Sequence, residues 1–182
     1  MNAKTRIAVI GAGKLGTKHA EVYSKLQEVE LVGVCDTHES RAKDVASRCK
    51  TKASTNHRDF LGQVDAVSVV VPSIKHYEIA KDFLNHGIHV MIEKPITATL
   101  EEADELLEIA KAKNCIIQVG HIERFNSAFR AVQNTIQSPR FIECHRLGPY
   151  DPRVTDVGVT LDLMIHDIDI VLDLVDSPVK HV

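Results

Sequence analysis

Three glycines near the N-terminus have the spacing of a phosphate-binding turn. Gly11, Gly13 and Gly16 follow a short apolar run (residues 6–10) and precede a segment of helical periodicity. In this context Gly11 permits the tight turn, Gly13 lets a pyrophosphate approach the backbone, and Gly16 allows close packing of helix on strand. The free N–H groups of the helix N-terminus would bind the phosphates. The predicted contact residues are Gly11, Ala12, Gly13, Lys14, Leu15 and Gly16.

Asp36 is the candidate for recognition of the ribose. It lies 20 residues after Gly16, at the end of a second predicted strand (residues 30–35). A carboxylate in that position accepts hydrogen bonds from the ribose hydroxyls and repels a 2′-phosphate, which favours NAD over NADP. Arg41 on the following helix keeps NADP open as a second possibility. The alternative interpretation is a glycine turn followed by an ordinary surface aspartate.

Another candidate position follows the strand predicted at residues 65–71. Pro72 ends that strand, and Ser73 and His76 come just after it. Ligands of open α/β sheets bind at the carboxyl ends of the strands, so we expect these residues to contact the dinucleotide. A plain strand-to-helix turn, with Ser73 as its cap, is the competing interpretation.

The tripeptide Glu93-Lys94-Pro95 follows the strand predicted at residues 89–92 and so belongs to the same edge of the sheet. The ammonium group of Lys94 is a candidate to hydrogen-bond a substrate hydroxyl and to polarise the carbonyl product. Pro95 fixes the chain and favours a cis peptide bond after Lys94. A charged surface turn is the alternative.

A late apolar helix (residues 157–175) carries Asp162 and His166 at a spacing of four residues, which places them on one face. Asp169 and Asp173 extend this narrow polar stripe. The stripe faces either bulk water or a wet cleft. In a cleft, His166 would exchange a hydroxyl proton near neutral pH, and Asp162 would orient it.

Strands and helices alternate over residues 1–120, which predicts an α/β fold with a Rossmann-type, doubly wound parallel sheet. Residues at helical spacing predict the inward face of the first helix (Leu15, His19, Val22, Tyr23 and Leu26) and the buried stripe of the last (Ala103, Leu106, Leu107 and Ala110). Thr99 and Glu102 form a capping box that begins this last helix. The predicted strands are residues 6–10, 30–35, 65–71, 89–92 and 115–119, and the later helices are residues 40–49, 76–85 and 99–113.

The pattern changes after Gly120. We expect a helix at residues 126–136, a strand at 141–147, a loop at 148–156 and the beginning of a strand at 179–182. These 62 residues lack the material for a core of their own. We therefore expect a Rossmann domain at residues 1–120, followed at residues 121–182 by the beginning of an α+β substrate and oligomerisation domain, most of which is missing.

The composition excludes several other classes of function. The 182 residues carry a formal net charge of −3 without a basic block, which argues against nucleic acid or an anionic membrane as a partner. There is no uncharged apolar run of membrane-spanning length and no signal peptide pattern, so we expect a cytoplasmic protein. No spacing typical of a metal site occurs, and we expect no metal. The four cysteines (Cys35, Cys49, Cys115 and Cys144) are far apart in the sequence, and we expect them to be reduced thiols.

These motifs, in this order, resemble the Gfo/Idh/MocA family of oxidoreductases, and the resemblance covers essentially the whole chain. It is carried by the glycine fingerprint, Glu93-Lys94-Pro95 and Asp162-x-x-x-His166. Such proteins bind NAD or NADP in an N-terminal Rossmann domain and oxidise or reduce a sugar, nucleotide sugar or cyclitol. Members of the family are usually much longer than this chain, and the part missing here forms a large antiparallel sheet that floors the substrate pocket and often mediates oligomerisation. The resemblance thus implies a homo-oligomer for the full-length protein.

The resemblance also implies roles for individual residues. Lys94, Asp162 and His166 match the catalytic, substrate-contacting set, while Glu93 and the segment Glu123-Arg124 fall where the family often touches the nicotinamide half or the substrate. Glu93 and Lys94 are accordingly expected to contact the cofactor. Residues 120–126 (Gly-His-Ile-Glu-Arg-Phe-Asn) are similar to a branch that dehydrogenates UDP-linked N-acetylamino sugars. That branch has proline after the asparagine, where this chain has Ser127.

Two other functions remain as alternatives. A non-catalytic or truncated dinucleotide-binding module would bind NAD without turnover, but it would not need Lys94, Asp162 and His166. A Rossmann reductase acting on amino-acid precursors would explain residues 1–120 but not the helix with Asp162 and His166.

Overall fold

The computed structural model describes residues 3–147, 158–175 and 177–182. The chain divides into two compact units, Met1–Gly120 and His121–Val182. In the first unit, strands and helices alternate along the chain as the sequence predicts.

A parallel sheet of six strands forms the centre of the first unit. The strand order is β3-β2-β1-β4-β5-β6, so the chain reverses direction across the sheet between β1 and β4. This order makes the fold a Rossmann-type doubly wound sheet, as predicted. The strands are β1 (Thr5–Ile10), β2 (Val29–Cys35), β3 (Lys52–Ser54), β4 (Ala66–Val69), β5 (His89–Ile92) and β6 (Ile117–Val119).

Four helices cover the two faces of this sheet. Alternate residues of β1 join different apolar clusters: Ala8 and Ile10 pack with residues of α3 and α4, whereas Val9 packs with residues of α1 and α2. Such continuous apolar strands are typical of a sheet buried on both faces. The helices are α1 (Lys14–Tyr23), α2 (Glu39–Cys49), α3 (His76–Asn85) and α4 (Leu100–Lys113).

α1 buries a partly different face from the one predicted, and α4 departs from its predicted face at Leu107. In α1 the buried residues are Gly16 and Ala20; His19 and Tyr23 are partly buried as predicted, while Leu15 and Val22 are half exposed. Small residues face the sheet here because α1 approaches the turn after β1 closely. In α4 the predicted capping box of Thr99 and Glu102 is present, and Leu106 is buried as predicted, but Leu107 is exposed.

The second unit is mainly helical in the residues that are described. Residues Ile122–Phe125 form a 3-10 turn, followed by α5 (Ser127–Gln133), a π-helical turn (Thr160–Met164) and α6 (Ile165–Leu174). The strands predicted at residues 141–147 and 179–182 are wrong, because neither segment pairs with a neighbour as a strand. The loop predicted at residues 148–156 lies outside the described residues.

Candidate functional site

The glycine turn after β1 combines two packed positions with one open position. Gly11 has a positive φ of 104°, and a Cβ atom on it would overlap the backbone carbonyl of Val70. A Cβ atom on Gly16 would overlap the carbonyl of Gly11, so α1 can approach the turn this closely only because residue 16 has no side chain. At Gly13 a Cβ atom would meet nothing within 4 Å. The turn is therefore closed on the protein side and open at Gly13, where a phosphate group would approach the backbone.

Asp36 is fixed beside this turn by two backbone N–H groups. Its two carboxylate oxygens accept hydrogen bonds from Ala12 and from His38, both at 2.8 Å. The carboxylate is thus held at the end of β2, and β2 is the neighbour of β1 in the sheet. This is the place where a negative charge would meet the ribose hydroxyls of a bound dinucleotide.

A cavity of about 670 Å³ opens at the carboxyl edge of the sheet, and its volume is within the range of ligand pockets. Four of the predicted cofactor-binding residues line it: Gly11, Gly13, Asp36 and Pro72. Arg41 lines it as well, as do Thr37 and Thr55, which the sequence analysis did not single out. Thr37 is the second residue after β2, and Thr55 directly follows β3, a strand that was too short and polar to be predicted. The other predicted cofactor-binding residues do not line this cavity; they are Ala12, Lys14, Leu15, Gly16, Ser73, His76, Glu93 and Lys94.

His76 has a different environment from the expected one. Its side chain is 1% exposed, and its ring nitrogens lie 2.8 Å from the carbonyl oxygen of Pro95 and 2.9 Å from that of Val71. The expected direct contact of His76 with the cofactor is therefore not supported, since both ring nitrogens are engaged by the backbone. His76 instead connects the chain after β4 with the chain after β5. Ser73, the first residue of the 3-10 turn Ser73–Lys75 that precedes α3, is buried as well.

The Glu93-Lys94-Pro95 segment directly follows β5, at the same edge of the sheet as the glycine turn. The peptide bond between Lys94 and Pro95 is cis, as predicted. Lys94 is half-buried. The carboxylate of Glu93 lies 3.2 Å from Nε2 of His19 on α1. Burial raises the pKa of Glu93, but the hydrogen bond and charge of His19, with the backbone N–H and charge of Lys94, outweigh burial and lower it.

In the second unit, the predicted acid–base residues lie on consecutive helical turns. Asp162 belongs to the π-helical turn Thr160–Met164, and His166 lies in the first turn of α6. Both side chains are half-buried. π-helical turns are rare in proteins, and those that occur are often found at functional sites.

Arg124 binds α6 rather than presenting a free guanidinium group. Its Nε and Nη2 donate to the two oxygens of Asp169, both at 2.8 Å, and its Nη1 donates to Asp173 at 3.1 Å. These contacts raise the pKa of Arg124, chiefly through the hydrogen bond with Asp169. The contact of Arg124 with substrate stays a prediction. The contacts also show that Asp169 and Asp173 of the polar stripe face Arg124.

The described residues leave two classes of site without support. Among them, no helix has the length and apolar character needed to cross a membrane. In the same part of the chain, no group of three histidine, cysteine, aspartate or glutamate side chains could hold a metal ion.

Comparisons with known proteins agree with this geometry. The family model for Gfo/Idh/MocA proteins, described as an oxidoreductase family with an NAD-binding Rossmann fold, matches residues 5–121. UDP-N-acetylglucosamine 3-dehydrogenase of Acidithiobacillus ferrooxidans is 39% identical over 168 residues, which are 92% of this chain and 53% of that protein. Myo-inositol 2-dehydrogenase of Thermotoga maritima is 29% identical over 97% of this chain and 57% of its own length.

A solved structure gives the same result for the fold. The structure of UDP-N-acetylglucosamine 3-dehydrogenase GnnA from Acidithiobacillus ferrooxidans superposes on this chain with a TM-score of 0.88 at 38% identity. The match covers 95% of this chain and 57% of the GnnA chain. The chain thus spans about half the length of the curated relatives that it matches.

Proposed function

Because the chain belongs to the Gfo/Idh/MocA oxidoreductase family, with its NAD-binding Rossmann fold, we propose that it binds NAD and serves in the oxidation or reduction of a sugar-like substrate. The reacting group would be a hydroxyl-bearing carbon of a sugar, nucleotide sugar or cyclitol. The observation that carries this proposal is the common edge of the sheet: the glycine turn, Asp36 and Lys94 follow β1, β2 and β5 of one parallel sheet.

The residues at this edge fit an adenine dinucleotide. The open space at Gly13 and the N–H groups at the start of α1 would receive the pyrophosphate, and Asp36 would accept hydrogen bonds from the adenosine ribose. A 2′-phosphate would meet the negative charge of Asp36, and for this reason we propose NAD as the preferred cofactor over NADP. When bound, the nicotinamide would supply the hydride acceptor or donor.

Lys94 and His166 are the proposed catalytic residues. The ammonium group of Lys94 would hydrogen-bond the substrate oxygen and favour its deprotonation. His166 would take the hydroxyl proton, and Asp162 on the preceding turn would orient its ring. A positioned general base of this kind contributes about 10²- to 10⁴-fold to a rate.

The proposed substrate class is a UDP-linked N-acetylamino sugar. The support is the 39% identity with UDP-N-acetylglucosamine 3-dehydrogenase over nearly the whole chain. The segment from Gly120 to Asn126 also has the pattern of that branch. UDP-N-acetylglucosamine is therefore the first compound to test, with myo-inositol as the comparison.

The test is turnover with NAD, followed by the absorbance of the reduced nicotinamide. We expect Lys94→Met and His166→Gln to reduce kcat by about 10²-fold or more while the dissociation constant for NAD stays unchanged. Lys113→Met, at an exposed lysine in the last turn of α4, is the matched control and should keep the wild-type rate. Wild-type rates in both site variants would exclude the assigned roles. NAD binding by the wild-type chain without turnover of either substrate would favour a dinucleotide-binding module.

The choice of cofactor has a separate test in thermal unfolding. We expect NAD to raise the melting temperature more than NADP does, and Asp36→Ala to remove this preference. Asp44→Ala, at an exposed aspartate on α2 paired with Arg48, should retain it. A larger upward shift with NADP in the wild-type protein would contradict the proposal.

A further inference from the structure

A chain of three polar side chains crosses the interface between α1 and the sheet of the first unit. Ser68 on β4 is fully buried, and its hydroxyl lies 2.8 Å from Nδ1 of His19 on α1. Nε2 of His19 lies 3.2 Å from Oε1 of Glu93, with side-chain exposures of 15% for His19 and 17% for Glu93. The chain Ser68–His19–Glu93 therefore leads from the middle of the sheet to the residue before Lys94.

The chemistry of the partners fixes how His19 is used. A carboxylate accepts hydrogen bonds, so the nitrogen that faces Glu93 must carry the proton. The hydroxyl of Ser68 either donates to Nδ1 of the neutral ring or accepts from the charged one. In both states His19 donates to Glu93, and Ser68 holds the ring in the orientation that makes this possible.

Glu93 is confined on its other sides as well. A Cβ atom on Gly120, the residue after β6, would lie 2.8 Å from Oε1 of Glu93, so a side chain there would require the carboxylate to shift from its present position. The backbone N–H of Lys94 donates to the same carboxylate. Glu93 is thus held between α1, the end of β6 and the backbone of Lys94.

Packing of α1 against the sheet would not by itself require polar side chains at Ser68, His19 and Glu93. A leucine at residue 19 would fill a similar volume without the desolvation penalty that partly buried charged and polar groups carry. The polar chain instead gives Glu93 one direction and one set of partners, as supporting hydrogen bonds do for site residues.

We propose that His19 is a positioning residue that, by holding Glu93, fixes the backbone of Lys94 and hence the direction of its ammonium group at the edge of the sheet. This inference rests on the proposed function only for the part of Lys94 in catalysis. The positioning of Lys94 itself does not depend on any substrate or cofactor and is measured separately.

The first test follows the Lys94 amide proton by NMR hydrogen exchange and the Glu93 carboxyl by its ¹³C titration, assigned with Glu93→Gln. We expect His19→Leu to speed exchange at Lys94 and to raise the titration midpoint of Glu93. His19→Gln keeps an N–H donor toward Glu93 and should restore much of both values. Ser68→Ala removes only the partner of Nδ1 of His19 and should change the exchange rate and the titration midpoint less. It tests the link Ser68–His19–Glu93 even where His19→Leu fails to fold. His145→Leu, at an exposed histidine paired with Glu143, is the control and should change neither.

The second test is kinetic and uses the same variants. We expect His19→Leu to reduce kcat by about tenfold or more, because small misplacements of a reacting group are costly, while the NAD dissociation constant and the KM for the sugar substrate change little. His19→Gln should recover most of kcat. Unchanged exchange at Lys94 and unchanged Glu93 titration in folded His19→Leu would overturn the proposal. So would an unchanged kcat. A wild-type protein without turnover would overturn the proposed function instead, and the NMR result would then decide the positioning of Lys94.

Discussion

Gly13 and Gly16 belong to one turn and differ in what surrounds them. At Gly16 the space that a side chain would need is filled by the backbone of Gly11, whereas at Gly13 it is empty. Gly13 has a φ of −70°, which any residue adopts. The fold therefore requires glycine at residue 16 but not at residue 13, where the proposed pyrophosphate contact would be the reason for it.

Alanine at each glycine separates these two requirements. We expect Gly16→Ala to reduce the free energy of unfolding by about 1–3 kcal/mol, as overpacking does. Gly13→Ala should change it by less than about 1 kcal/mol and should weaken NAD binding, because the added methyl group occupies the path of the pyrophosphate. Urea unfolding and calorimetric NAD titration measure the two effects. Equal losses of stability in both variants would contradict the distinction.

The candidate site shows how far residue types alone lead. The sequence predicts Gly11, Gly13, Asp36 and Pro72, and all four line the cavity, because their positions follow from the strand-turn-helix pattern. It also predicts contacts for His76 and Arg124, and the structure shows that both have hydrogen-bond partners within the protein. A polar side chain at a strand end or on a helix has the same sequence signature whether it contacts a ligand or supports the backbone. Only the positions of distant partners, such as Pro95 and Asp169, distinguish the two.

At the scale of elements, Asp82 connects α3 with the 3-10 turn His57–Phe60. Its carboxylate lies 2.8 Å from Nε2 of His57 and 2.9 Å from Nε of Arg58. Burial raises the pKa of Asp82, but the hydrogen bonds with His57 and Arg58 outweigh burial and lower it. A carboxylate with a lowered pKa in the folded state stabilises that state above its unfolded pKa, and this stabilisation is lost as the pH falls through the folded value.

The pH dependence of unfolding tests this connection. We expect Asp82→Asn to be less stable than the wild type at neutral pH, and the difference to shrink as the pH falls below about 4, the usual pKa of aspartate. Urea unfolding at several pH values measures the difference. Asp104→Asn, at an exposed position of α4, is the control and should show no such trend. A difference that grows toward acidic pH would show that the ion pair contributes in the opposite sense.

Arg124 has a comparable part in the second unit, where it binds α6 to the 3-10 turn Ile122–Phe125. Arg124→Ala would leave the buried carboxylate of Asp169 without its two guanidinium donors. We expect a loss of about 1–3 kcal/mol and faster hydrogen exchange of the α6 amides. Arg130→Ala, at an exposed residue of α5, is the matched control. Adding Asp169→Asn to Arg124→Ala should recover part of the loss, since the uncompensated charge is then removed.

The elements themselves follow closely from the sequence where the pattern is strong. The predicted boundaries of α3 and β5 are confirmed, because apolar periodicity and Gly87 mark them clearly. β3 was missed because Lys-Ala-Ser is short and polar, and it pairs only with β2 at the side of the sheet. The predicted buried face of α1 was wrong for Leu15 and Val22, because the packing of Gly16 and Ala20 depends on how closely the helix approaches the sheet. The apolar periodicity of the sequence gives no information about the distance between helix and sheet.

For the whole molecule, NAD binding should show itself as a local pattern of protection. At 100 times the dissociation constant, a ligand that binds only the folded state stabilises it by about 2.7 kcal/mol. We expect the slowed hydrogen exchange to centre on the turns after β1, β2 and β4, because these segments line the cavity, and on the start of α1, because its free N–H groups would receive the pyrophosphate. Hydrogen exchange with mass spectrometry on the intact chain measures this. Protection that leaves residues 11–16 unchanged would place the ligand elsewhere.

The lengths of the outermost strands have a consequence for self-association. β3 and β6 stand at the two ends of the sheet order, and each is only three residues long. Short outer strands offer few free backbone groups for pairing with a second molecule, and Lys52 adds a charge to one of them. Growth of this sheet from one copy into the next is therefore disfavoured.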